Sequence, residues 1–415
     1  MLDFRLYNLV MIERTLAAIL KRTARSFPTV ILTGPRQSGK TTLVKHLFGK
    51  THRYFSMDLA ATRMQAATDP QLFMESIKTP VIIDEIQYVP ELLPVIKLRI
   101  DQRRVAGDWI ITGSQAFPLM RGVTESLAGR VAILNLLPLS VAEIVGQGAS
   151  SATVTKIFEK TFDGNGQTAR QLAKIILTGS FPELILQSRP QLELWYGSYL
   201  TTYLERDVRA LEQVGDLRQY EQFIQVCAAR TGQLLDLTDI ATNLGVSLTT
   251  VKRWVSVLEA SHQILLVYPY YQNLGKRLVK RPKLYFTDTG LVCHLLRLTT
   301  VDQVINGLHW GALFETLVVA DFYKRYLHHG QRAELNFIRT YDNFEVDLAL
   351  PSGAGLNLVE IKAAANLTLK HTQNLTQAVK DFGDKVEGAY LISLGETTLA
   401  VAGVKNLPWY QFLSG

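Results

Sequence analysis

The stretch Gly34-Pro35-Arg36-Gln37-Ser38-Gly39-Lys40-Thr41 stands between an apolar run, Thr29-Val30-Ile31-Leu32, and a helical pattern, Thr42-Leu43-Val44-Lys45-His46-Leu47. A strand that feeds a glycine-rich turn and then a helix gathers backbone N–H groups around a polyphosphate at the positive end of the helix. Gly34, Pro35, Arg36, Gln37, Ser38, Gly39, Lys40, Thr41 and Thr42 are therefore read as the nucleotide cradle. In this pattern Lys40 reaches the β- and γ-phosphates and the Thr41 hydroxyl reaches Mg²⁺. The expected cofactors are ATP and Mg²⁺.

Working outward, short apolar runs at 30–33, 54–58, 81–84, 109–113 and 131–136 alternate with helical patterns, the mark of a parallel sheet covered by helices. The third run, Val81-Ile82-Ile83-Asp84-Glu85, ends in two acids. One strand-helix unit after the loop, Asp84 is expected to help hold Mg²⁺ and Glu85 to polarise the attacking water. The fourth, Ile110-Ile111-Thr112-Gly113-Ser114-Gln115, ends in polar groups that suit a γ-phosphate or its water, with Ser114 as the catalytic candidate. Ser126-Leu127-Ala128-Gly129-Arg130 then precedes the fifth strand, and the place of Arg130 resembles that of the arginine finger in oligomeric AAA+ ATPases, which makes it a candidate finger for a neighbouring subunit. A dipole partner or surface ion pair is the other reading of that arginine.

Length and charge bound the rest. A chain of 415 residues exceeds what one core holds, and 47% hydrophobic with 20% charged residues is an ordinary globular composition. No apolar run reaches a membrane span and no signal-peptide core opens the chain, so a cytoplasmic protein is expected. Cys227 and Cys293 lack zinc or disulfide spacing. The net charge of +7 is concentrated: between Thr250 and Tyr285 stand Lys252, Arg253, Lys276, Arg277, Lys280, Arg281 and Lys283 against Glu259 alone. Such a segment favours a polyanion, DNA first.

Four units are expected: an ATPase core over 1–136, a helical lid over 137–211, a winged helix-turn-helix over 212–290 and an α/β domain over 301–415. In the third, Ala241, Gly245 and Ser247 fit the first helix, the turn and the cap of a second helix whose Val251, Trp254, Val255 and Leu258 recur at helical spacing. Lys252, Arg253, Arg277, Lys280 and Arg281 would then meet phosphates, and Thr249 and Thr250 base edges. A protein-interaction module is the competing reading of the same fold.

In the last unit a helix opening at Trp310 carries Glu315, and two alternating strands carry Glu345 with Asp347 and Glu360 with Lys362. Residues two apart share a strand face, so paired strands would bring Asp347, Glu360 and Lys362 together, with Glu315 arriving from the helix. Carboxylates suit Mg²⁺, and a lysine can orient a metal-bound water. Glu315, Asp347 and Glu360 are thus candidate metal ligands, and Asp347, Glu360 and Lys362 candidate catalytic groups. The order resembles the PD-(D/E)XK restriction-endonuclease-like fold, although Val346 stands where its proline would be.

GPRQSGKTTL, DEIQ, TGSQ and SLAGR in this order, with Gly179-Ser180-Phe181-Pro182-Glu183 and Tyr203-Leu204-Glu205-Arg206-Asp207-Val208-Arg209, resemble a group of prokaryotic AAA+ ATPases with a characteristic C-terminal domain. The resemblance implies ATP hydrolysis and a lid from which Arg206 or Arg209 reaches the nucleotide, and Arg130 read as a finger implies a homo-oligomer, with a hexamer as one form. Helix salt bridges are the other reading of those arginines. Two functions remain open: an ATP-driven enzyme acting on DNA, or a nucleotide-controlled switch whose nuclease-like domain is silent. A small-molecule kinase would share the loop but lacks an acceptor-binding segment.

Overall fold

The computed structural model describes residues 11–114, 127, 129–159, 168–203, 216–270, 279–340, 344–353, 355–395 and 403–413. The first sheet contains β1 (Thr29–Thr33), β2 (Arg53–Ser56), β3 (Val81–Asp84), β4 (Trp109–Gly113) and β5 (Val131–Asn135), in the order β2-β3-β4-β1-β5. Every pairing in it is parallel. Its central strands are buried on both faces because alternate side chains enter two different cores. Ile31, Ile83 and Ile111 join one with helix Leu92–Gln102, while Val30, Leu32, Ile82 and Ile110 join the other with helices Leu16–Ala24 and Lys40–Phe48. The loop after β1 and the acids after β3 consequently emerge at the same sheet edge, the usual ligand edge of an open α/β sheet.

Helices Ala169–Thr178, Pro182–Leu186 and Leu192–Tyr203 follow. The Gly179-Ser180 turn is a junction: Ser180 donates from both N and Oγ to Asp288 Oδ2, each at 2.7 Å. Gly179 has φ +74°, and a Cβ there would lie 2.1 Å from the Tyr196 hydroxyl, so a larger residue is excluded.

Helix Leu217–Ala229 leads to two further helices, Leu237–Leu244 and Leu248–Ala260. Asp236 caps the first and Ser247 the second, while Gly245 turns between them at φ +65°. Val251, Trp254, Val255 and Leu258 are buried on the inner side of the second helix.

The second sheet has eight strands: β6 (Gln233–Leu234), β7 (Ile264–Pro269), β8 (Lys283–Phe286), β9 (Asn336–Arg339), β10 (Glu345–Ser352), β11 (Gly355–Lys362), β12 (Val386–Ser393) and β13 (Lys405–Pro408). Their order is β13-β12-β11-β10-β9-β7-β8-β6. β9, β10 and β11 pair antiparallel, helix Gln373–Phe382 crosses over, and β12 returns parallel to β11. β7 pairs parallel with β9 through Tyr268–Asn336 and Pro269–Phe337. The strands after the paired helices and the C-terminal strands thus form one continuous sheet. Helix Trp310–His328 packs on β8 and β11 of this sheet and on β5 of the first. Among the described residues no helix is long and apolar enough to cross a membrane.

Candidate nucleotide site and C-terminal carboxylate cluster

The loop after β1 is shaped by two glycines. Gly34 has φ +142°, and a Cβ there would meet the Leu136 carbonyl oxygen at 2.1 Å. Gly39, at φ +94°, precedes helix Lys40–Phe48 without a capping side chain, leaving the first-turn N–H groups directed along the loop. Lys40 is buried, and its Nζ donates to the carbonyls of Gly34 at 2.9 Å and Pro35 at 2.8 Å. Ser38 Oγ is buried without a hydrogen-bond partner among the described residues.

Asp84 is held by hydroxyls. Thr41 Oγ1 donates to both its oxygens, at 3.0 and 3.1 Å, Tyr54 OH donates to Oδ2 at 2.6 Å, and Thr112 Oγ1 donates to Oδ1. Burial and the Asp84 carboxylate push the Tyr54 phenol well above its ordinary pKa, so it stays a donor. Glu85 adopts a left-handed backbone, φ +58°, which turns the chain sharply out of β3. Its N–H donates to Thr112 Oγ1 at 3.2 Å, and its Oε2 accepts from Ser114 Oγ at 3.1 Å and from Gln87 Nε2. The sequence reading brought Lys40, Thr41, Asp84, Glu85 and Ser114 to this edge, and the structure gathers them there. It missed Tyr54, on the strand that pairs with β3, and Gln87, whose only signal was position beside the two acids.

Arg14, unremarked in the sequence, buttresses the loop from behind. Its Nη1 donates to the Ser38 carbonyl at 2.7 Å and its Nη2 to the Leu137 carbonyl at 2.6 Å, while Nε lies 3.2 Å from Glu143 Oε1. Glu143 is also 3.2 Å from His328 Nδ1. Burial would raise the Glu143 carboxyl, but Arg14, His328 and the Ser140 N–H hold it far below the ordinary carboxylate range.

Arg130 lies elsewhere. It immediately precedes β5, whose first residue pairs with Thr29 at the start of β1, so it sits at the end of the sheet opposite the loop. Its Nε is 2.5 Å from Asp101 Oδ1, a partly exposed pair. Gln115, Arg206, Arg209 and Arg277 fall outside the described residues.

The basic segment divides. Thr249, Lys252, Arg253 and Lys280 are exposed, and Arg281, also exposed, pairs with Asp236. The Thr250 hydroxyl is 2.8 Å from Ser247 Oγ, within the helix cap. Lys283 departs from the expectation of a surface charge: its side chain is 2% exposed and sits among carboxylates. The physical reason is the continuous sheet, which carries β8 beneath helix Trp310–His328.

Lys283 Nζ lies 3.1 Å from Glu315 Oε1, 2.5 Å from Glu345 Oε1 and 3.5 Å from Asp347 Oδ1. Tyr285 OH donates to the same Glu315 oxygen at 2.5 Å. Lys362 Nζ lies 2.6 Å from Glu360 Oε1 and 3.5 Å from Asp347 Oδ2, which also accepts the Ile361 N–H at 2.8 Å. Arg339 closes the rim, 2.8 Å from Glu345 Oε2. Glu315, Asp347, Glu360 and Lys362 do converge, as the strand alternation implied. They do not leave an open cation position, because an ammonium group stands between Glu315 and Asp347. Among the described residues no group of three or more His, Cys, Asp or Glu is arranged to hold a metal ion. In this arrangement the Lys283 ammonium occupies the position between Glu315 and Asp347.

The parallel sheet, the glycine loop and the paired acids together give this part of the chain the build of a P-loop nucleotide-binding domain. Residues 26–145 match a family model described as an AAA domain. Residues 169–302 and 310–412 match two models described as domains of unknown function, DUF8612 and DUF4143. Uncharacterized proteins of Mycobacterium tuberculosis and Mycobacterium bovis are each 31% identical over 312 residues, covering 74% of this chain and 65% of theirs. The match therefore spans slightly under two thirds of those relatives. An uncharacterized protein of Haemophilus influenzae is 22% identical over 290 residues, covering 64% of this chain and 68% of that protein. Among solved structures, the Walker-type ATPase of Pyrococcus abyssi superposes with a TM-score of 0.43 at 15% identity, covering 69% of this chain and 96% of that one. The RuvB Holliday junction branch migration motor of Thermotoga maritima gives 0.28 at 16% identity, covering 60% and 86%.

Proposed function

We propose that the protein hydrolyses ATP with Mg²⁺ and couples this turnover to DNA engagement. The observation that carries the ATPase reading is the meeting of Thr41 with Asp84 at the loop while Glu85 rests on Ser114 one residue further on. Thr41 and Asp84 offer hard oxygens within hydrogen-bond distance of each other, which fits Mg²⁺, and the orphaned Ser38 hydroxyl fits a phosphate oxygen. Bound there, the metal would neutralise phosphate charge. Lys40 contributes the fixed positive charge of the cradle, and Glu85 orients a water against Ser114. Phosphate release from ATP by the purified chain tests this: Lys40→Ala and Glu85→Gln each abolish turnover, and a variant that keeps it refutes that residue's role.

DNA engagement rests on the exposed Lys252, Arg253 and Lys280 beside a capped two-helix turn followed by an antiparallel strand pair, the build of a winged helix. Binding measured across a salt series tests it, and an affinity indifferent to salt overturns it. Arg130 faces away from its own loop, so as a finger it would serve a neighbour in a homo-oligomer. Turnover of Arg130→Ala then falls, and mixing with Lys40→Ala chains restores part of it; a fully active Arg130→Ala chain removes the role. The C-terminal strand order and its converging residues support a nuclease-like domain. The lysine-bound state of its carboxylates favours the second reading, a nucleotide-controlled switch in which that domain is silent.

A further inference from the structure

The C-terminal cluster holds four carboxylates, Glu315, Glu345, Asp347 and Glu360, and three cations, Lys283, Lys362 and Arg339. Lys362 belongs to β11, which carries Glu360, and Arg339 belongs to β9, which pairs with the strand of Glu345 and Asp347, so both come from β9–β11. Lys283 does not: it comes from β8, which precedes helix Trp310–His328 in the chain and pairs with β6 and β7. Counted with every group ionised, the cluster is one positive charge short with Lys283 in place and two short without it, the charge of a divalent metal, while burial and then the neighbouring Asp347 push the Glu360 carboxyl up to about 8. Its ammonium touches Glu315, Glu345 and Asp347 together, and no metal could approach Glu315 and Asp347 while it stays there. One oxygen of the cluster is left over: Glu360 Oε2 is buried and has no hydrogen-bond partner among the described residues, while its Oε1 is held by Lys362.

We propose that Lys283 is the built-in cation of this cluster, supplied by β8 from farther along the same sheet, and that it closes the site to Mg²⁺ and Mn²⁺. Removing its charge turns the cluster into a divalent-metal site formed by Glu315, Asp347 and Glu360. A buried ammonium surrounded by acids is a costly arrangement to break, because each freed carboxylate is left uncompensated out of water. It is also a position a metal can fill, since carboxylate oxygens suit hard cations. The inference goes beyond the nucleotide reading and stands or falls without it.

Mn²⁺ binding to the full-length, nucleotide-free chain decides it, followed by the electron-spin resonance signal of free Mn²⁺. In wild type, binding is the same as in Asp347→Asn. Lys283→Met gains Mn²⁺ affinity of at least about tenfold, the scale on which neighbouring groups tune metal sites. Lys283→Met combined with Asp347→Asn loses the gain, and Lys283→Arg, which keeps the charge, never acquires it. Mn²⁺ also raises the melting temperature of Lys283→Met and leaves that of wild type unchanged, since a ligand that binds only the folded chain stabilises it. Wild-type binding that disappears in Asp347→Asn overturns the proposal, as does a folded Lys283→Met that binds no better than wild type. Should Lys283→Met fail to fold, the wild-type comparison with Asp347→Asn still separates the two outcomes.

Discussion

The nucleotide loop and the C-terminal cluster each combine a buried lysine with a set of acids, and they arrange the same residue types oppositely. At the nucleotide site Lys40 is held by the carbonyls of Gly34 and Pro35, while the acids rest on neutral groups, Thr41, Tyr54, Thr112, Ser114 and Gln87. In the C-terminal cluster the acids rest on ammonium groups, Lys283 and Lys362. Hydroxyl donors orient a carboxylate and leave its charge unspent, whereas an ammonium cancels it. Where the lysine points therefore decides whether a carboxylate set is ready for a divalent cation.

The largest expected effect breaks the comparison if it fails. Lys40→Ala or Glu85→Gln lowers ATP turnover by about 10²–10³-fold or more, the loss typical when a preorganised electrostatic group is removed. Lys362→Ala leaves turnover unchanged, as steady-state phosphate release would show. Stability reverses the order. Lys283→Met costs about 3–5 kcal/mol because it strands buried carboxylates, whereas Lys40→Ala costs about 1–3 kcal/mol for its two carbonyl partners. Urea midpoints compare them, and equal losses would erase the distinction.

Glu143 sharpens it from a third position, as a fully buried acid held by Arg14 and His328. Its carboxyl is depressed from the usual 4.5, so its contribution to stability is present above about pH 4.5 and lost as the pH falls below that. Thermal melts from neutral to acid pH should fall less steeply in Glu143→Gln than in wild type, although that variant starts less stable. The smallest effect concerns the exposed face. Lys252→Ala and Arg253→Ala each reduce the slope of log affinity for DNA against log salt by about one and weaken binding alike for all sequences.

Much of this was legible in the chain. The five strands of the first sheet are short apolar runs bounded by turn residues, and the loop and the paired acids occupy adjacent units, so local pattern sufficed. β10 and β11 announce themselves by alternation, which also predicted that Asp347, Glu360 and Lys362 would meet. Arg14 could not be read: its value comes from Ser38, Leu137 and Glu143, the last of them 129 positions away. Lys283 was hidden by its neighbours, since Lys280 and Arg281 make the segment look like a solvated basic stripe. Its one local hint was the alternation of Lys283 and Tyr285 on a strand otherwise made of Leu284 and Phe286. Its burial follows from the pairing of β7 with β9, and nothing in either strand specifies that partner.

Helix Trp310–His328 holds Glu315 near one end and His328 at the other, about 20 Å apart at 1.5 Å per residue. His328 meets Glu143, Glu143 meets Arg14, and Arg14 meets the Ser38 carbonyl of the nucleotide loop. Thermodynamic reciprocity then links the two ends: in a Lys283→Met chain, whatever factor Mn²⁺ applies to the affinity for ATP, ATP must apply to the affinity for Mn²⁺.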